Sequence, residues 1–135
     1  MGVLDGVREI LAAIPAMGAE SVRLDEKHGI APETGLRLGD VQTMMRLLEI
    51  NREEEKLRAY LGTIEYETLL KLVALLYFGR DRDASFSEKL DRVQRRKAAR
   101  VDLVRTILDK IPSCGRYLTD AAERLREEGV DVDAL

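Results

Sequence analysis

A chain of 135 residues has room for one ordinary domain with a core of its own, and at that length it needs neither disulfides nor a structural metal to fold. Hydrophobic residues make up 45% and charged residues 35%, a balance that excludes intrinsic disorder; with 4% aromatics and no Trp, the core falls to Leu, Ile, Val, Ala and Met, which favours helices. A net charge of -3, from 22 basic and 25 acidic residues, excludes a protein whose whole surface is basic.

In chain order, Leu4, Val7, Ile10, Leu11 and Ile14 recur at helical spacing opposite Asp5, Arg8 and Glu9. This predicts a first helix within residues 1–14, from Val3 to Ile14, ended by Pro15. Gly18, Gly29, Pro32, Gly35 and Gly39 punctuate the next stretch, so 15–39 is expected to be irregular, with a helical turn or two around Ala19 to Lys27. Asp40 reads as the N-cap of a long helix reaching Leu61, with Val41, Met44, Met45, Leu48, Leu57, Tyr60 and Leu61 on a buried stripe. Its polar middle, Asn51 to Lys56, either lies over solvent or marks a break between two helices. Gly62 and Thr63 read as a stop and a new N-cap.

The next helix, Glu65 to Phe78, is apolar on most faces and is therefore expected to be buried at the centre, closed by Gly79 in a left-handed conformation. Ser85 and Glu88 have the spacing of a capping box at the start of another long helix, whose stripe is Phe86, Leu90, Val93, Val101, Val104 and Leu108. Pro112 and Ser113 stop that helix and begin a last one that turns Tyr117, Leu118, Ala121, Ala122 and Leu125 inward before Gly129 ends it; 130–135 is expected to be a loose tail. The sum is an all-α single domain over 1–135, a compact array of about five or six helices.

Two stretches resemble the bacterial family known as domain of unknown function 3775. One is Leu72-Val73-Ala74-Leu75-Leu76-Tyr77-Phe78-Gly79-Arg80; the other is Ile107-Leu108 followed by Pro112 and Tyr117-Leu118. Together they span the second half of the chain. The pattern departs after Leu118, where Thr119-Asp120-Ala121-Ala122 stands in place of the family's acidic and glycine residues. The resemblance implies a helical bacterial protein and carries no activity, because the family has none assigned.

No set of residues assembles into a catalytic constellation. His28 is the only histidine, which excludes a multi-histidine zinc site; it reads as a surface loop residue. Cys114 cannot form an internal disulfide, and a small buried side chain is favoured over a thiol activated by a helix N-terminus. Asp81, Asp83 and Ser85 alternate like the first ligands of a calcium loop, but Phe86 replaces the required glycine and Arg92 the closing glutamate. Glu53, Glu54 and Glu55 beside Arg52, Lys56 and Arg58 read as an exposed, ion-paired helix face. No phosphate-binding glycine motif follows a strand, and no cofactor is expected.

The charge is polarised along the chain. Residues 80–100 carry 8 basic against 4 acidic side chains, and residues 117–135 carry 2 against 6. Lys89, Arg92, Arg96 and Arg100 fall on one side of the expected long helix, with Arg80 near its start, forming a candidate binding stripe. Such a row can follow a phosphate backbone, or it can pair with the acidic last helix through Asp120, Glu123 and Glu127. The leading expectation is a protein-interaction or regulatory module, a homodimer being one form of it, with an apolar patch exposed around Met44 and Met45. A nucleic-acid binder is the alternative, and an enzyme comes third. Met1 to Pro15 lacks the basic start of a leader, and the longest apolar run, Leu72 to Phe78, is far short of the roughly 20 residues a membrane helix needs, so a cytoplasmic protein without a membrane partner is expected.

Overall fold

A computed structural model describes residues 2–31, 33, 35 and 40–135. The fold is all-α, with no strand among the described residues. Its helices are α1 (Val3–Lys27), α2 (Val41–Leu48), α3 (Arg52–Thr63), α4 (Tyr66–Arg80), α5 (Phe86–Arg96), α6 (Arg100–Asp109) and α7 (Ser113–Glu127), followed by a 3-10 turn, Val132–Ala134. Helices α1 and α3 to α7 pack together into the compact array expected of the sequence, and α2 lies beside the end of α1.

α4 is the hub. Leu69, Leu72, Ala74, Leu76 and Phe78 have no exposed surface, and α7, α5, α6 and α1 pack around them. A helix apolar on most faces must bury most of them, as its composition predicts. α7 lies closest: a Cβ built on Gly79 would stand 1.8 Å from the Tyr117 carbonyl oxygen. Gly79 is therefore an interior helical residue required for close approach rather than the left-handed cap expected of it, and α4 continues to Arg80. The end of α4 is completed from α7, where the Arg124 guanidinium donates to the Phe78 carbonyl and, at 3.0 Å, to the Asp81 carbonyl while lying over the Phe78 ring.

Pro15 does not end α1. It sits on the exposed side of the helix, where solvent can satisfy the carbonyl that proline has no N–H to meet, and Met17 and Leu24 further along are buried. The helix instead stops at Gly29, whose φ is 69°, in a Schellman arrangement: Ile30 N–H donates to Asp25 O at 2.8 Å and Gly29 N–H to Glu26 O at 3.1 Å. Residues 15–27, expected to be irregular but for a helical turn or two around Ala19 to Lys27, are helical throughout; the expectation for Pro32, Thr34 and 36–39 lies outside the described residues.

The polar segment at 51–56 does mark a break. Asn51 caps α3 by accepting from the Glu53 and Glu54 amides and donates to the Met17 carbonyl at 3.1 Å. α3 runs through Gly62 to Thr63, past the expected stop, and Glu65 takes the N-cap position of α4 without a side-chain hydrogen bond. Ser85 accepts from the Glu88 amide at the start of α5. The expected long helix then breaks at Lys97, whose φ is 51°; Tyr66 donates its hydroxyl proton to Ala98 O at 2.6 Å, and Arg100 donates to the Ile64 carbonyl. The C-terminal segment is less loose than expected: Val132 and Leu135 pack partly buried against the core.

Candidate functional site

The divided helix changes the basic stripe. Arg100 opens α6 rather than continuing α5, and its guanidinium is spent on the carbonyl that ends α3 and leads into α4. Lys89 is buried, 5% exposed, with its ammonium 3.3 Å from Asp81 Oδ2 and 2.8 Å from Asp83 Oδ1. The two carboxylates that resembled a calcium loop thus converge on a side-chain cation. Arg92 lies 3.8 Å from Asp83, and Arg80 pairs with Asp81 at 3.0 Å. Hydrogen bonds from Arg80 and then Lys89 hold Asp81 at about 2, against an ordinary 3.8. The stripe therefore meets the 81–83 connector and not the acidic last helix, where Asp120 faces Arg116 instead.

Arg96, like Arg100, has no carboxylate partner among the described residues. Its guanidinium lies 5.6 Å from the centre of the Tyr77 ring, joined there by Arg80 at 4.8 Å and Lys110 at 5.3 Å. Three cations from α4, α5 and the end of α6 share one ring, a grouping without a sequence signal because Tyr77 and Lys110 are far apart along the chain.

Other candidates resolve as structural groups. Cys114 is fully buried, and burial pushes its thiol up to about 11, so it is a small core side chain and no nucleophile. His28 is not a free loop residue: it caps α1 and places Nε2 3.1 Å from Glu49 Oε1. Glu53, Glu54 and Glu55 pair with Lys56 and Arg58 along α3, as expected of a solvated face.

The feature that core packing does not explain is α2. Thr43 and Arg46 face the body of the protein and the apolar residues face outward. Arg46 donates to Asp25 at 2.7 Å and to Ser21 at 2.8 Å, and Lys27 donates to Glu49 at 2.5 Å. Thr43 is buried on the same side. Meanwhile Val41 is 73% exposed and Leu48 76%, and Met44, Met45, Leu47 and Ile50 are each more than half exposed. The part of the expected buried stripe lying on α2 therefore faces solvent, whereas its continuation on α3, Leu57 and Leu61, is buried. The reason is electrostatic geometry: Asp25, Lys27 and His28 at the end of α1 recruit Arg46 and Glu49, which fixes the rotation of α2 about its axis.

No family model matches the chain, and no curated protein or solved structure matches it significantly.

Proposed function

We propose that the protein is an interaction module that self-associates through the apolar face of α2. The observation that carries this reading is the inverted orientation of that helix. Six large apolar side chains stand in solvent on and beside one short element, and they leave on the order of 500 Å² of apolar surface, at the upper end of the roughly 300–600 Å² reached by the largest patch on a monomer. That surface is more than half of the ~800 Å² that a standard interface takes from each partner. The charged groups of α2, Arg46 and Glu49, are already paired within the chain, so two copies of the face meet without like-charge conflict. Light scattering behind gel filtration tests it: wild type should run as a dimer in the micromolar range, and Met44→Asp/Leu48→Asp should run as a folded monomer. A wild type that stays monomeric at high concentration with α2 still protected from exchange would remove self-association and leave a different protein partner.

A second reading, nucleic-acid binding, draws support from the Arg80, Arg96 and Lys110 grouping around Tyr77. Binding to mixed DNA and RNA that weakens steeply with salt, and that is lost in Arg96→Ala/Lys110→Ala, would promote it above the first.

A further inference from the structure

A cavity of about 690 Å³ lies between the first half of α1, the middle of α7 and the segment after α7. Leu4 and Leu11 form one wall, Leu118 and Ala122 the second, and Val130 and Val132 the third. Leu11 and Val130 are each 37% exposed, so the cavity opens to solvent along their edge. Its size falls within the roughly 300–1,000 Å³ of small-molecule sites, and its walls are mostly apolar, as such sites require. It is remote in sequence from α2 and from the Tyr77 grouping, and none of its lining residues belongs to either.

Two arginines stand at this cavity, Arg8 from α1 and Arg126 from α7. Neither guanidinium has an ion-pair or hydrogen-bond partner among the described residues. Of the carboxylates at the same cavity, Asp131 accepts from the Asp133 amide at 3.1 Å, and Glu123 has no cation partner among the described residues. The formal charges at the cavity balance, two positive against two negative, but the side chains left without a partner are two guanidiniums and one carboxylate, set over aliphatic walls. The exposed face of α2 offers these arginines no free anion, so that face of a second copy is a poor occupant. We infer that the cavity binds an amphiphile with a single aliphatic chain and an anionic head, the chain lying against Leu4, Leu11, Leu118 and Val130 and the head reaching Arg8 and Arg126. A carboxylate and a phosphate monoester share the required chemistry.

Titration of the full chain with decanoate, followed by amide NMR shifts and calorimetry, tests this. Decanoate should shift the amides of 118–123 and 129–132 and leave those of Met44 and Met45 unmoved. Octanoate should bind roughly ten- to fifteenfold more weakly, as loss of two buried methylenes implies. Arg8→Gln/Arg126→Gln should weaken decanoate roughly tenfold or more, Glu123→Gln should tighten it, and Ala122→Phe should abolish binding while keeping the wild-type melting temperature. Decyl phosphate against decanoate decides which head is preferred. Equal binding of decyltrimethylammonium, insensitivity to the arginine pair, shifts confined to α2, or no binding by decanoate or decyl phosphate would each overturn the assignment.

Discussion

α4 and α2 are both rich in apolar residues, and they meet opposite fates. α4 is apolar around most of its circumference, is wrapped by four other helices and keeps its leucines and Phe78 from water. α2 concentrates its apolar residues on one face and then turns that face outward, because ion pairs to the end of α1 hold the other side down. Hydrophobicity determines burial where neighbours surround the helix; where a helix touches the body along one side only, a few well-placed charges choose which side.

The contrast can be broken most severely at Gly79. Gly79→Val would drive a branched side chain into the Tyr117 carbonyl, where backbone cannot yield, and the loss should exceed the ~4 kcal/mol that marks exceptional substitutions, abolishing the cooperative urea transition. Truncation compares the two helices directly. Leu72→Ala in α4 should cost about 2–5 kcal/mol by urea unfolding, whereas Leu48→Ala in α2 should change the stability of the monomer by less than ~0.5 kcal/mol and lower its tendency to associate. Lys89→Met should cost about 0.5–1.5 kcal/mol, since Asp81 and Asp83 lose their shared buried cation but reach solvent and keep Arg80 and Arg92; a Lys89→Met protein as stable as wild type would show that packing alone seats α5.

The smallest effect concerns acid. Glu49 is held below its ordinary 4.5, first by the hydrogen bond from Lys27 and then by that from His28. A carboxylate with a depressed folded value stabilises the folded arrangement above 4.5, and that contribution is lost as pH falls through the folded value. Hydrogen exchange should therefore show α2 losing protection below pH 4.5 while α4 remains protected, since Asp81, beside the end of α4, keeps its charge down to about 2. Simultaneous loss in both helices would mean that α2 is held by more than its charges.

Much of this fold is legible in the sequence where local chemistry decides. Asp40, Ser85 and Gly129 act at helix ends as their residue types predict, and the central place of α4 follows from its composition alone. The failures share a cause, which is contact between distant segments. Lys97 and Ala98 carry no breaker, and the chain turns there because Tyr66 and Arg100 supply hydrogen bonds across the domain. Gly79 has the look of a cap, and only the close approach of α7 gives it another role. Met44 and Met45 fit an exposed patch and a buried stripe equally well by spacing, and the pairing of Arg46 and Glu49 separates the two. Lys89 fits a surface row by spacing; Asp81 and Asp83 draw it inward. The cavity at Arg8 and Arg126 joins opposite ends of the chain and leaves no local signal.

The reach of Arg124 to the last carbonyls of α4 has a consequence for the order of assembly. The hub helix is finished by a side chain 46 residues downstream, so its final turn is not complete until α7 has docked. Its terminal amides should then exchange only through opening of the whole domain and not by the fraying usual at helix ends, making α4 and α7 one cooperative unit in folding.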